Sequence, residues 1–275
     1  MSHQEVQIAY GSTIGRDHRA VPKNCQDDLR VVRTEQCTIG IVADGCGSGA
    51  HSEVGAQIGV RVLAECLEAE VRDRSGSDIR WPRVQQHVLA TLDVLARQMG
   101  GNYRQVVEEY FLFTIVGVLL TDKDATFFAL GDGVIIVNGY ELTLGPFEGN
   151  KPPYLGYGLL LPDVDIEPDL VQFRTVCWLP LKAVQHFLIG SDGVQDLIDA
   201  ETKCLPGLAE PVGSIAGFWE RDRYFGANHE LLNRQLKLIS RDWPKRDPQP
   251  GLLPDDTSMI VGRKAPPPDP QTTEE

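Results

Sequence analysis

The chain has 275 residues, of which 42% are hydrophobic and 24% are charged, a composition typical of a soluble globular protein. Its net charge of -13 argues against general binding to nucleic acids or anionic membranes, because those partners are themselves negatively charged. The six scattered cysteines include no C-x-x-C pair, which disfavours a zinc site or a disulfide scaffold and favours a reducing compartment. With no signal-peptide pattern and no apolar run of about 18 residues, we expect a cytoplasmic protein that does not enter a membrane.

The first strands of the chain are predicted to bring two aspartates together. An alternating pattern predicts a strand over residues 6–14, and two further strands over 29–32 and 37–43 form a predicted hairpin. Asp27 lies at the start of one hairpin strand and Asp44 at the end of the other. Because these ends are adjacent in antiparallel neighbours, we expect both carboxylates at one rim of the sheet.

A glycine-rich turn follows Asp44 and precedes a predicted helix. Such a turn lets the backbone approach a phosphate, a metal ion or only the next helix. A Walker loop would end in Gly-Lys-Ser/Thr, whereas residues 50–52 are Ala-His-Ser. The Rossmann pattern is half met by Gly45, Gly47 and Ala50, but Asp44 would repel a pyrophosphate.

The remaining pattern indicates paired strands between long helices. The predicted elements are helices over 52–73 and 83–99, strands over 111–121 and 125–144, an irregular segment over 145–169, a strand over 170–177, a strand and a helix within 186–201, two helices within 205–243, and a strand over 257–264. No linker or internal repeat divides this pattern. We therefore expect one domain over residues 1–264 and a disordered acidic, proline-rich tail over 265–275.

Aspartates recur where apolar strands begin or end. Five aspartates share this setting, namely Asp27, Asp44, Asp132, Asp192 and Asp255. Three of the five have a glycine next to them. A single such aspartate is usually a helix cap or a turn former. Five carboxylates in one place would repel one another unless cations neutralise them, and oxygen ligands suit Mg²⁺ or Mn²⁺ rather than zinc. Two such ions about 3.5–4 Å apart can hold a water, lower its pKa and direct it at a phosphorus atom.

Five short motifs occur in an order that identifies a family. They are Asn-Cys-Gln-Asp at 24–27, Val-Ala-Asp-Gly at 42–45, Leu-Gly-Asp-Gly at 130–133, Gly-Ser-Asp-Gly-Val-Gln-Asp at 190–196 and Asp-Asp-Thr-Ser at 255–258. In this order and spacing the chain resembles the metal-dependent protein phosphatases of type 2C, and its first motif is most similar to that of bacterial members. The resemblance extends from Ala9 to Arg263.

The resemblance implies a fold and a set of metal ligands. The implied fold is α+β, a four-layer α-β-β-α sandwich of two antiparallel sheets flanked by helices. Asp44 would bridge two Mn²⁺ or Mg²⁺ ions and, with Asp192, would carry catalysis. The whole implied ligand set, which includes a possible third and looser ion, is Asp27, Asp44, the Gly45 carbonyl, Asp132, Asp192, Asp196 and Asp255.

Two of the family positions that differ in this chain concern the substrate phosphate and the leaving group. Many members carry an arginine five residues before the first aspartate, where it binds the substrate phosphate, but this chain has Pro22. The candidates to replace it are His18, Arg19 and Lys23. Some members carry a histidine two residues after the bridging aspartate, where this chain has Cys46. We interpret Cys46 as a small packing residue, because no histidine is paired with it in the sequence.

Three functions are compared on these grounds. The first is a phosphoserine/phosphothreonine phosphatase that acts on a phosphorylated protein, with a cognate bacterial serine/threonine kinase as the partner that the family suggests. The second is a catalytically inactive relative that acts as a binding or regulatory module. The third is a nucleotide-binding enzyme that uses Gly45, Gly47 and Ala50, but this would require alternating strands and helices after the turn. Because the acidic set is complete, we favour the phosphatase.

Overall fold

Ten strands in the described residues form two antiparallel sheets of five strands each. The computed structural model describes residues 1–73, 79–145, 147, 151–244 and 248–265. The strands are β1 (Val6–Thr13), β2 (Asp27–Arg33), β3 (Thr38–Gly45), β4 (Phe113–Leu120), β5 (Asp124–Leu130), β6 (Val134–Val137), β7 (Tyr140–Leu142), β8 (Arg174–Pro180), β9 (His186–Gly190) and β10 (Thr257–Lys264). The first sheet has the order β1-β10-β9-β6-β7, and the second has the order β2-β3-β4-β5-β8.

Helices lie on the outer face of each sheet. They are α1 (Arg16–Ala20), α2 (Ser52–Arg72), α3 (Trp81–Met99), α4 (Tyr103–Tyr110), α5 (Gly193–Asp199), α6 (Gly217–Glu220) and α7 (Leu231–Ser240). The longest, α2 and α3, repeat apolar residues at the helical period and bury that face.

Among the described residues, three groups of buried apolar side chains lie between the layers. Phe127 and Phe187 lie among those between the two sheets. Leu63 of α2 and Leu92 of α3 belong to the group that covers the outer face of the second sheet. Leu236 of α7 belongs to the group that covers the first sheet. The four-layer α-β-β-α sandwich implied by the sequence is therefore confirmed.

The strand register brings four chain segments to one edge of the sandwich. In the β2–β3 hairpin Asp27 pairs directly with Asp44, which confirms the predicted proximity. In the other sheet β9 ends at Gly190, which pairs with Met259 near the start of β10. The acidic segments before β2, after β3, after β9 and before β10 consequently meet at this edge.

Several elements differ from the sequence prediction. Neither α1 nor α4 was predicted, because both are short and mostly polar helices. The strand predicted from residue 170 begins at Arg174, since Pro168–Val171 forms a 3₁₀ turn instead. Residues 205–216 contain no helix, and α6 is a single turn.

Some expectations concern the whole chain. All six cysteines are free thiols. Within the part of the chain that the structure describes, no helix is long and apolar enough to cross a membrane. Residues 266–275 of the predicted tail, and residues 146 and 148–150 of the predicted irregular segment, lie outside the described residues.

Candidate metal centre

The two sheets each contribute aspartates to one site. Asp27 begins β2 and Asp44 lies one residue before the end of β3, so the second sheet supplies this pair. Asp192 lies between β9 and α5, and Asp255 lies two residues before β10, so the first sheet supplies the other pair. Because rigid strands fix these segments, the carboxylates are held with little freedom.

Burial and mutual repulsion dominate the electrostatics of the site. Burial raises the pKa of Asp27 well above its usual range, and the nearby Asp256 carboxylate raises it further. Burial likewise raises the pKa of Asp44, with additional contributions from Asp27 and Asp192. The carboxyl groups of Asp44 and Asp192 are close enough for a hydrogen-bonding contact, which adds to the rise in the Asp44 pKa. Without a cation, the site therefore retains protons that ordinary aspartates lose.

Two carboxylate oxygens of the site have no hydrogen-bond partner. Among the described residues, Oδ1 of Asp27 and Oδ1 of Asp192 are buried and unpaired. The other Asp27 oxygen, Oδ2, accepts a hydrogen bond of 2.7 Å from the Ser191 hydroxyl. Buried polar atoms almost always have a partner, so these two carboxylate oxygens are available to bind a cation. Oxygen donors alone suit Mg²⁺ or Mn²⁺, and the residues present therefore fit the implied ions.

Gly45 follows Asp44 at a position where no larger residue fits. A Cβ atom there would lie 2.7 Å from the Gln26 carbonyl oxygen and 2.7 Å from Ser52 Oγ. The Gln26 side chain closes the same turn, since its Nε2 donates to Ser52 Oγ at 2.6 Å and to the Gly49 carbonyl at 3.1 Å. Gln26 thus fixes the glycine turn against the start of α2.

Three further aspartates lie in the same electrostatic field. The Asp132 pKa is raised to about 6, chiefly by burial and then by Asp192, although a hydrogen bond with Thr114 opposes the shift. Partial loss of solvation in this crowded region, followed by repulsion from Asp192, also raises the pKa of Asp196 and of Asp255. The structure thus brings all six predicted aspartates together, while their individual roles as metal ligands stay predictions.

Asp256 was not predicted as a site residue, although it is central to the local structure. It is 2% exposed, and its two oxygens accept backbone hydrogen bonds from Gly15 at 2.6 Å and from Gln26 at 2.5 Å. Nδ1 of His18 lies 2.9 Å from Asp256 Oδ2. His18, Asp255 and Asp256 offer possible ligand atoms within 4.8 Å of one another, but the hydrogen bonds of Asp256 show that it ties together the segments before β2 and β10.

The three candidate phosphate-binding residues have different surroundings. His18 faces Asp256, as described above. The Arg19 guanidinium donates to the Ile14 carbonyl and to the Ser240 hydroxyl, both at 2.7 Å, and so contacts the end of α7. The Lys23 ammonium donates to the Gly47 carbonyl in the glycine turn after Asp44. Of the three, Lys23 is the cation that contacts this turn.

Tyr154 is a second residue that sequence reasoning missed. Burial raises the pKa of its hydroxyl, and the neighbouring Cys46 and the charges of Asp44 and Asp132 raise it further. Cys46 is 8% exposed and its sulfur lies 3.1 Å from the Ser48 hydroxyl. The segment that carries Tyr154 therefore covers one side of the acidic site. Its irregular sequence contains no motif that would have indicated this contact.

Comparison with known proteins gives a match over most of the chain. The model of a family described as protein phosphatase 2C matches residues 14–231. No curated protein sequence matches at a significant level.

Solved structures of low sequence identity share the fold. The catalytic domain of the serine/threonine protein phosphatase PstP, in complex with two manganese ions, is 17% identical with a TM-score of 0.50, covering 94% of this chain and 97% of that one. A bacterial serine phosphatase is 14% identical with a TM-score of 0.53 and the same coverages of 94% and 97%. The serine/threonine phosphatase Stp1 from Staphylococcus aureus is 12% identical with a TM-score of 0.50, covering 94% of each chain.

Proposed function

We propose that this chain, which belongs to the protein phosphatase 2C family, is a bacterial-type enzyme that hydrolyses phosphoserine and phosphothreonine in proteins with the help of two Mn²⁺ or Mg²⁺ ions. The observation that carries this proposal is the convergence of aspartates from both sheets, with unpaired buried oxygens on Asp27 and Asp192. The manganese ions bound by PstP support the choice of metal.

The proposed ligands divide between the sheets. They are Asp27, Asp44 and the Gly45 carbonyl from the second sheet, and Asp192 and Asp255 from the first, with Asp132 and Asp196 available to a third ion. When bound, the ions supply Lewis acidity, which neutralises phosphate charge and lowers the pKa of a water. Ligand carboxylates must be deprotonated, so binding of the ions requires Asp27 and Asp44, whose pKa values are raised, to give up any proton that they hold.

The surrounding residues orient the ligands and the substrate. The Ser191 hydroxyl holds Asp27 through Oδ2 and leaves Oδ1 free. We propose Lys23 as the phosphate-binding cation, because it already contacts the turn after Asp44. Cys46 is buried against Ser48 and Tyr154, which supports direct transfer of the phosphoryl group to water without a phosphoenzyme.

The test is hydrolysis of p-nitrophenyl phosphate and of a phosphothreonine peptide with Mn²⁺, with Mg²⁺ and with EDTA. We expect metal-dependent turnover that falls by at least about a hundredfold in Asp44→Asn, because one ligand to both ions is weakened. The exposed Asp169→Asn variant is the matched control and should keep full activity. Turnover in EDTA, or full activity of Asp44→Asn, would contradict the proposal.

The alternative is an inactive relative that binds a partner. Pro22 at the position of the family arginine is the observation that favours it. A folded protein without turnover in either metal would support this alternative. A kinase partner, and a domain that ends at residue 264, remain proposals that rest on the family resemblance and on the end of β10 at Lys264.

A further inference from the structure

A cleft lined by cations opens between the segment before β2 and the end of α7. We call this the basic cleft; its volume is about 770 Å³, and its charged lining residues are Arg19, Lys23, Lys237, Arg241 and Asp242. Four cations and one carboxylate thus share one cleft in a chain whose net charge is -13.

Two of these cations are available to a ligand. Lys237 and Arg241 are exposed, and within the described ranges neither side chain forms an ion pair. The only acidic member, Asp242, accepts a backbone hydrogen bond of 2.7 Å from Gly251. Cations at the C-terminal end of a helix also stabilise its dipole, which accounts for Lys237 and Arg241. Stabilisation of the helix dipole does not account for Lys23, which reaches the cleft from a different segment.

The basic cleft adjoins the acidic site, because its lining residues Lys23, Asn24 and Cys25 lie just before Asp27 in the chain. Lys23 lines the cleft and also contacts the glycine turn after Asp44. Ser12, another lining residue, accepts a hydrogen bond of 2.7 Å from the Ser258 hydroxyl, and the Ser258 amide donates to Ser191, which holds Asp27. A peptide whose phosphorylated residue occupied the site could therefore extend into the cleft.

We propose that the basic cleft binds acidic residues flanking the phosphorylated residue of the substrate, so that the enzyme prefers acidic phosphopeptides. This inference rests on the proposed phosphatase function for the adjoining site. The physical reason is charge complementarity, because the rest of this acidic chain repels such a peptide and the cleft supplies local attraction.

The test compares charge reversal in the cleft with charge reversal elsewhere. The cleft variant is Lys237→Glu with Arg241→Glu. The matched control is Lys182→Glu with Lys264→Glu, which changes the net charge equally at exposed positions near the opposite end of the sheets. Substrates are a phosphothreonine peptide with aspartate and glutamate on both sides, the same peptide with neutral flanks, and p-nitrophenyl phosphate.

We expect the wild-type KM to be lower for the acidic peptide than for the neutral one. The cleft variant should raise KM for the acidic peptide by about tenfold and leave the other two substrates unchanged. The control variant should not change the ratio of the KM values for the two peptides. Added salt should remove the preference for the acidic peptide. Equal KM values for the two peptides, or equal effects of the two variants, would overturn the inference.

A binding measurement separates this inference from the proposed function. Fluorescence anisotropy of a labelled acidic peptide without phosphate reports on the cleft whether or not turnover occurs. If the protein has no phosphatase activity but binds the peptide, and the cleft variant weakens this binding, the inferred role of the cleft stands and the proposed phosphatase function is rejected. If p-nitrophenyl phosphate is turned over normally but peptide binding does not depend on the cleft residues, only the inferred role of the cleft is rejected. Circular dichroism of each variant confirms that it is folded.

Discussion

Neighbouring residues Asp255 and Asp256 have different roles before β10. Asp256 is buried and accepts two backbone hydrogen bonds, whereas Asp255 is exposed and repelled by Asp192. We expect Asp256→Asn to lower the free energy of unfolding in EDTA by about 1–3 kcal/mol, because an amide would replace one acceptor oxygen. Asp255→Asn should keep that stability and weaken Mn²⁺ binding. Thermal unfolding in EDTA and Mn²⁺ titration measure both effects, and equal destabilisation by the two variants would contradict this division.

At the scale of single residues, the sequence predicts only part of the acidic site. The predicted hairpin is sufficient to place Asp27 beside Asp44, because the start of one antiparallel strand lies next to the end of its partner. It could not distinguish Asp255 from Asp256, since both precede the same strand and only the folded contacts of Gly15 and Gln26 select one of them.

At the scale of elements, α2 is positioned by glycines that allow close contact. A Cβ atom at Gly55 would lie 2.1 Å from the Tyr110 carbonyl oxygen at the end of α4. We expect Gly55→Ala to lower the free energy of unfolding by about 1–3 kcal/mol through overpacking. Gly47→Ala is the control, because its Cβ would meet nothing within 4 Å. Chemical denaturation measures both, and a shift of similar size in the two variants would show that the contact is not the cause.

Element prediction succeeded where periodic apolar patterns were long. The predicted helix over 52–73 is observed as Ser52–Arg72, because its apolar face repeats over many turns. In α4 only Val106 and Val107 are buried, so there is no periodic signal to detect. The start of β8 was misplaced because Val171 is buried by a 3₁₀ turn rather than by a strand.

At the scale of the molecule, the acidic site links stability to pH. In the metal-free protein the pKa values of Asp27 and Asp44 are raised, and that of Asp132 is about 6, against about 3.9 for an unfolded aspartate. The folded state then binds more protons than the unfolded state, so stability falls as pH rises through these values. We expect a higher Tm in EDTA at pH 5 than at pH 8.

Calorimetry with and without Mn²⁺ checks this expectation. Mn²⁺ should raise the Tm most at pH 8, where the carboxylates are charged and bind the ion. Asp44→Asn should reduce the difference between the two pH values in EDTA, since it removes one of the repelling groups. A Tm in EDTA that rises from pH 5 to pH 8 would contradict the electrostatic argument.

The whole-molecule arrangement was only partly accessible from sequence. The layered fold followed from the family resemblance, because periodicity alone does not determine how two sheets stack. The basic cleft did not follow, since Lys23 and Lys237 are far apart in sequence and meet only where α7 packs beside β1.

The sandwich is held differently at its two ends. At the end away from the acids, Arg33 donates to the Val6 carbonyl at 2.6 Å and His3 contacts Thr38 at 3.0 Å, so the sheets are joined by ordinary hydrogen bonds. At the acidic end the Ser191–Asp27 and Gln26–Asp256 hydrogen bonds also join them, but there, on the proposed ligand set, divalent ions add links between the sheets that the other end does not have. Starvation for manganese or magnesium would then loosen one rim of the protein and make it more susceptible to proteolysis, as well as stopping the proposed catalysis.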